Sequence, residues 1–472
     1  MGVAASVATA LAACGDDGSA PADSGADVGT DAGPAPDPWP RSLPPAAELA
    51  APGGLTIART IIHLHSPLSH DACDGEGWVD GALADAACLA HLREAVCVLR
   101  IDVAMLTDHA PHVEEVTFES ALFARAGDEI LRDTAGDAIA ARWQCVDGHS
   151  TLVTVGAEND LMPVGLDRHP LAGATADELR AAYDADGPEA VAAFRDAGAL
   201  VLVPHTESRG IDYLRTLGMD GIEIYNVHAN LAPDIRTEHL GLDGYGFVDA
   251  LLAFTDRRST LASDLAFLAF FDENANDLGK WDTLLAEGMR LPGLAGSDAH
   301  ENTFPDPMPD GERADSFRRI LRWFSNHVLV SDVSVDAVEQ AVGAGRFYVA
   351  FEAFGSPVGF SFTADGTGGV AQMGETITVG SELRVMRPAL PDGHPAIPAP
   401  TVTLRILRAA AGGAVEVASG SDATLAYTPT EPGAYRAEVR MVPEHARPYL
   451  GRHADELIHE VVWIYSNAIY VE

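Results

Sequence analysis

The chain has a single lysine, Lys280, in 472 residues, so nearly all of its positive charge is arginine. Thirty basic residues stand against seventy acidic ones, for a formal net charge of −40. A surface of that sign repels nucleic-acid phosphates and anionic membranes, and no basic aromatic stripe occurs, which argues against a polyanionic partner. A small anion held by metal ions stays open, because the local charge of the ions outweighs a distant field. Other absences narrow the choice. No C-x-x-C spacing is present for a structural zinc site, and no G-x-S-x-G elbow for a serine hydrolase. Beyond the N-terminus no apolar run is long enough to cross a bilayer.

Cysteine is scarce, with five residues. Four of them, Cys73, Cys88, Cys97 and Cys145, are expected as two disulfides near the rim of a site, in any of three pairings. The fifth, Cys14, closes the stretch Leu11-Ala12-Ala13-Cys14, which resembles a bacterial lipoprotein box. Residues 3–13 are small and apolar, as in a signal-peptide core, although no Lys or Arg precedes them. Residues 1–14 are therefore expected as a lipoprotein signal and 15–52 as a disordered acidic tether rich in Gly, Ala, Asp, Ser and Pro. Lipid on Cys14 would be the only link to a membrane, and would place the protein in the cell envelope, in the periplasm or on the outer membrane.

The remaining 420 residues divide near position 352. From 53 to 352, short apolar strands alternate with helical patterns such as "ADAACLAHLREAV" and "GPEAVAAFRDAG", implying a parallel sheet, here a barrel. Its strands run repeatedly into ionisable residues: "TIIHLH", "VAMLTDH", "TLVTVGAE", "VLVPH", "IEIYNVH" and "GLAGSDAH". Such residues at the C-terminal ends of strands are what a barrel active site requires. From 353 to 472, β-rich runs separated by Gly and Pro, including "TVTLRILR" and "EPGAYRAEV", read as a β-sandwich.

Collected from the strand ends, the candidate ligands are His63, His65, His70 or Asp71, His109, Glu158, His205, Asp298 and His300. Neutral imidazole suits Zn, Mn and Fe, and carboxylates bridge and neutralise such ions. In a regular strand, residues i and i+2 point to one side, so His63 with His65, and Asp298 with His300, are each expected to chelate one ion.

In this order, H-x-H-S, S-H-D, T-D-H, G-x-E, P-H and G-S-D-A-H resemble the motifs of the PHP (polymerase and histidinol phosphatase) superfamily of metal-dependent phosphoesterases. The resemblance covers residues 57–352, including "GRFYVAF", and the end "WIYSNAIYV" looks like that of exported members. It implies an α/β fold, a distorted seven-stranded (β/α) barrel followed by a small all-β sandwich, with two or three divalent ions (Mn, Zn or Fe). It also implies a further ligand after the glutamate, here His169. Where the family has an acid two residues before the first histidine, this chain has Ile61.

The expected activity is hydrolysis of a small phosphoester by a hydroxide shared between two ions. Alternatives are a metal-dependent carboxyl-ester, carbamate or amide hydrolase, or an inactive surface-binding lipoprotein. Glu158 is expected to bridge, with His63, His65 and Asp298 on one ion and His109 and His205 on the second. His300 with the acid of the first motif would serve a third or donate a proton. His205 or His228 would protonate the leaving oxygen. Arg209 would steady a phosphate, Asp108 would orient His109, and Glu223 and His228 would stand just behind the ligands.

Overall fold

The computed structural model describes residues 38–366 and 369–472. Cys14, the signal-like segment and most of the expected tether lie outside the described residues. Along the first part of the chain run β1 (Thr56–Leu64), β2 (Val103–Leu106), β3 (Ala138–Gln144), β4 (Ser150–Thr154), β5 (Met162–Val164), β6 (Leu200–Val203), β7 (Gly221–Asn226), β8 (Gly293–Ala299), β9 (Ser325–Val330) and β10 (Phe347–Ala350).

β1 is the hub. Its Ile57, Ile61, Ile62 and Leu64 are all buried, as expected for a strand covered on both faces, whose sequence is an apolar run rather than an alternation. It lies parallel to β2 on one side and to β8 on the other, while its first half pairs antiparallel with β9. The strand order is β3–β4–β2–β1–β8–β7–β6–β5, with only the outer pairs β3/β4 and β6/β5 antiparallel. Helices cover the parallel strands. The helix Ala86–Val98 connects β1 to β2 and is capped by Asp85, which accepts from the backbone N–H groups of Ala87 and Cys88. Parallel strands point their C-terminal ends to one edge, so residues just beyond those ends converge.

The sheet is mixed α/β, as expected, but strand pairing does not close it into a seven-stranded barrel. The chain beyond β4 and the β5 segment are connected by two backbone hydrogen bonds, Ala157 N to Pro163 O (3.0 Å) and Leu166 N to Val155 O (2.8 Å). Pro163 sits in the middle of three-residue β5 and has no N–H to continue a ladder.

The C-terminal portion has two sheets. One contains Gly369–Ala371, Ser361–Gly366, Leu383–Met386 and Thr424–Tyr427. The other contains Thr401–Ala410, Gly413–Gly420, Gly433–Val442 and Val461–Ser466. Leu404 and Ile406 point inward as their alternation predicts, and a register shift after Ile406 then buries Leu407 as well. Tyr435 donates to the carbonyl of Glu431 across the turn before its strand, at 2.8 Å. Val461–Ser466 pairs antiparallel with β10, so the two portions share one continuous sheet. A buried bidentate ion pair, Arg59 to Glu352 at 2.9 Å on both branches, pins β1 to the residues following β10.

Residues 38–52, expected in the tether, pack instead. Trp39, Leu43, Ala46 and Leu49 are buried, and Trp39 stacks among His394, His445 and Tyr449. A composition dominated by Pro and Ala hid four well-spaced apolar side chains, enough to hold the segment against the core. Two disulfides form, and the pairing is Cys73–Cys88 and Cys97–Cys145. Among the described residues, no helix is long and apolar enough to cross a membrane.

Candidate metal centre

Each strand-end motif delivers its side chains to one place. His63 ends β1, His65 follows it, His109 lies just past β2, Glu158 four residues past β4, His205 two past β6, and Asp298 and His300 at the end of β8. His63 Nε2 is 3.1 Å from Glu158 Oε2 and 3.4 Å from Asp298 Oδ1; His65 Nε2 is 3.3 Å from both. His109 Nε2 is 3.3 Å from Glu158 Oε2, and His205 Nε2 is 3.0 Å from Glu158 Oε1. His300 Nε2 lies 3.4 Å from Asp298 Oδ1 and 3.5 Å from Asp71 Oδ2. Asp71 also faces His109, at 3.6 Å.

The other ring nitrogen of most of these histidines is already engaged. His63 donates through Nδ1 to Glu223 at 2.5 Å, His65 to the hydroxyl of Ser69 at 3.2 Å, and His109 to the carbonyl of Glu158 at 2.8 Å. The Ser69 hydroxyl in turn donates to Asp71 Oδ1 at 2.8 Å. These bonds fix the Nδ1–H tautomer and leave the Nε2 lone pairs aimed inward. The Nε2 atoms of His63, His65 and His300 and Oε2 of Glu158 are buried without a hydrogen-bond partner. Buried polar atoms are seldom left so, and four at one point mark a place built for cations. Imidazole nitrogens and carboxylate oxygens in this number are donor types that could hold divalent ions.

Three sets of ligand atoms lie within 4.8 Å of one another: His63, Glu158, His205 and Asp298; His65, Asp298 and His300; and His65, His109 and Glu158. Glu158 and Asp298 recur because a carboxylate has two oxygens and can span two ions. One imidazole nitrogen cannot, so His65 serves only one of its two sets. The sets divide His63 from His65, which regular alternation would put on one ion. The cause is local: His63 has φ 63°, and the register shifts between Ile62 and Leu64 against β8 and between Ile61 and Leu64 against β2. His205 (φ 49°) and Asp298 (φ 45°) are also left-handed. Three of the eight non-glycine residues with positive φ among those described thus belong to the cluster, conformations held only where surroundings over-determine them.

The electrostatics follow from this crowding. Burial opposes protonation of His65, but its contacts with Asp298 and Glu158 push it up to about 10, so a cation binding at Nε2 would displace a proton. Burial likewise opposes ionisation of Asp71, yet His300, His65 and His109 hold it down at about 2. Burial lowers His300 to about 4. The acids of the cluster are charged, and cations among them would be strongly favoured.

Several expectations require correction. His169 does not reach the cluster: Nδ1 is 2.9 Å from the hydroxyl of Tyr183 and Nε2 2.9 Å from the carbonyl of Val116. Both nitrogens are occupied, so it has no lone pair to offer. Of the alternatives in the first motif, Asp71 faces the ligands, whereas His70 is exposed, lines the neighbouring cavity and lies tilted beside His109, at 5.3 Å between ring centres. Arg209 is paired with Asp160 at 2.8 Å and does not line the cavity described below. Asp108 accepts from the backbone N–H (2.6 Å) and hydroxyl (2.8 Å) of Ser66, so it shapes the first motif loop rather than orienting His109.

Residues not read from sequence complete the setting. Glu207 flanks His205 Nδ1 at 3.4 Å, and Lys280 donates to the carbonyls of Thr206 and Glu207 at 2.6 and 3.0 Å. The uniqueness of Lys280 in the chain was the one available signal. His228, which the sequence did offer, is partly exposed at the edge of the cluster, with Nδ1 3.1 Å from Asp298 Oδ2. A separate acidic group, Asp264, Asp310 and Glu312, is neutralised by Arg318 and Arg319 and is an ion-pair knot.

No protein-family model matches the chain, and no curated protein matches it. Among solved structures, the chain is similar to the crystal structure of a two-domain protein containing a predicted PHP-like metal-dependent phosphoesterase from Bacteroides vulgatus. The likeness is at 11% identity over 91% of this chain and 99% of that one, with a TM-score of 0.31, a superposition too slight to define a shared fold.

Proposed function

We propose that this protein is a metal-dependent hydrolase that cleaves a small phosphoester, using two or three divalent ions (Mn, Zn or Fe). One observation carries the reading: inward-facing, unpartnered Nε2 atoms and a two-faced glutamate meet at the C-terminal edge of a parallel sheet. His63, His65, His109, His205 and His300 would hold the ions, with Glu158 and Asp298 spanning adjacent positions and Asp71 at the open side. When bound, the ions supply Lewis-acid stabilisation of developing charge and a lowered pKa for water.

The chain's own residues do the rest. Glu223, Ser69 and the Glu158 carbonyl keep the imidazole rings oriented. His205 is taken up by Glu158 and Glu207, which leaves His228 as the residue that carries a proton to the leaving oxygen. Its side chain is 39% exposed and lines the cavity beside Asp298. Export as a lipoprotein through Cys14 belongs to the same proposal. Two disulfides support it, since such bonds persist in oxidising compartments.

The test is metal analysis of the purified full-length protein, followed by a panel of phosphate and carboxylate esters, carbamates and amides. Stoichiometric metal with phosphate release is expected. Cleavage of carboxylate esters or carbamates alone would reassign the bond, and protein from metal-rich medium with no bound metal would overturn the reading.

A further inference from the structure

The ligand cluster forms one wall of a cavity of about 1000 Å³, which Asp71, His228, Asp298 and His300 enter from the metal side. Most of the remaining lining is apolar. Leu231 and Leu252 come from the helices Val227–Leu231 and Val248–Thr255, Phe267 and Phe270 from the segment that follows, and Phe304 and Met308 from the loop after β8. A phosphoester whose organic part is a sugar or polyol would meet few hydrogen-bonding side chains there, Thr255, Asn302 and Thr303, of which the last two already bond each other, and desolvating its hydroxyls would be unfavourable.

Charge points the same way. Arg257 is the single arginine of the lining, whereas Asp74, Glu76, Asp306 and Asp315 all belong to it. Arg313 neutralises Asp74 and Asp315, and among the described residues Glu76 and Asp306 have no ion pair. A second anionic group on the substrate would be repelled there.

The wall is also built to stay in place. Asp315 accepts from the backbone N–H groups of Thr303 and Phe304 at 2.7 and 2.6 Å, and Arg319 holds Asp310 at 2.9 Å. Cys73, tied to Cys88, lines the same cavity. Phe304 and Met308 are thereby held in the cavity lining before any substrate arrives, so little ordering cost falls on binding.

We infer that the substrate carries, next to its reacting group, a bulky and uncharged apolar moiety, aromatic or branched alkyl, which this wall binds. The inference rests on the hydrolase reading for the position of the reacting group and concerns the other half of the molecule. In size the cavity is at the upper end of small-ligand sites, large enough for several fused rings or a chain of many carbons.

The experiment is calorimetric titration of the full-length, metal-loaded protein with methyl-, phenyl- and naphthylphosphonate, and with octylphosphonate to separate flat rings from flexible chains. Affinity should rise about fourfold per methylene equivalent buried, so at least tenfold from phenyl to naphthyl, with a negative heat-capacity change. Leu252→Asn and Phe304→Asn change partly exposed positions and should each flatten the series, with metal content and methylphosphonate affinity unchanged. Equal affinity for methyl- and naphthylphosphonate, or tighter binding of glycerol phosphate than of naphthylphosphonate, would overturn the inference. Ester assays keep the two readings apart. If size dependence holds but only aryl carboxylates are cleaved, the apolar wall stands and the phosphoester reading fails.

Discussion

Glu223 Oε1 accepts a hydrogen bond from Nδ1 of His63 at 2.5 Å, while its other oxygen accepts from the backbone N–H of His205 at 2.8 Å. One buried carboxylate on β7 thus aligns an imidazole from β1 and the turn that carries a second imidazole after β6. Asn226, three residues on, donates to the same oxygen at 3.1 Å and holds the carboxylate still. The arrangement is a carboxylate–histidine relay with a backbone arm added.

Glu223→Gln should therefore act through two ligands together. Gln can still accept from the His205 amide but no longer stabilises charge on His63, so metal affinity should fall about 10–100-fold. Competition with a chelator of known affinity measures this. Unchanged affinity would mean that packing alone holds His63.

His228 makes the opposite prediction. It touches Asp298 but belongs to none of the ligand sets. His228→Ala should lower kcat by about 10²–10⁴-fold, the usual worth of a general acid, with metal content unchanged. The loss should shrink on substrates whose leaving group needs no proton, such as p-nitrophenyl esters. An equal loss on both kinds of substrate would remove His228 from proton transfer.

The sequence disclosed the strand ends because parallel strands buried on both faces read as apolar runs, and ligands such as His109 and Glu158 interrupt them abruptly. It could not disclose which ligands share an ion. Regular alternation puts His63 with His65, and only the left-handed turn at His63 separates them, a backbone choice that histidine does not advertise. His169 was misplaced because its partners, Tyr183 and Val116, are 14 and 53 residues away and leave no local trace. Trp39 was missed for a similar reason: the residues that cover it lie beyond position 390.

The disulfide Cys97–Cys145 joins the end of the helix Ala86–Val98 to the turn after β3, across 48 residues. On the chain-entropy model, closing a loop of that length stabilises by about 4 kcal/mol, against about 3 kcal/mol for Cys73–Cys88. Cys97→Ser with Cys145→Ser should lower the thermal midpoint more than Cys73→Ser with Cys88→Ser. The second pair, lying in the cavity wall, should instead weaken naphthylphosphonate binding more. Scanning calorimetry and the titration above check the two halves.

Glu339 gives a pH signature away from the metal centre. Burial, with Asp167 and Asp336 nearby, pushes its carboxyl from an ordinary 4.5 up to about 8. Between those values the folded chain keeps a proton that the unfolded chain has lost. Stability from this group therefore falls as pH rises from about 4.5 to about 8, and the penalty is complete above that. Glu339→Gln fixes the neutral form, so the variant should match the parent near pH 4.5 and exceed it at pH 8 and above. Urea unfolding across that range is the measurement, and a parent and variant whose midpoints stay parallel would contradict the shift.

The sharpest claim concerns Glu158. Its Oε2 faces His63, His65 and His109 within 3.1–3.3 Å, while Oε1 faces His205 at 3.0 Å, so Oε2 stands where the two ligand sets that contain Glu158 meet and Oε1 reaches further into the first. Glu158→Gln keeps the shape but replaces one oxygen by an NH₂ that cannot ligate, and removes the negative charge that lets two cations sit close together. Metal content should drop by at least one ion per chain and kcat by about 10³-fold or more, with excess metal restoring only part of the loss. Glu158→Asp keeps the charge but withdraws both oxygens by one methylene, so it should retain more metal than the Gln variant while remaining slow. A Glu158→Gln protein with full metal content and normal turnover would show that the ions are held by histidine and Asp298 alone, and would remove the bridging role on which the proposed chemistry depends.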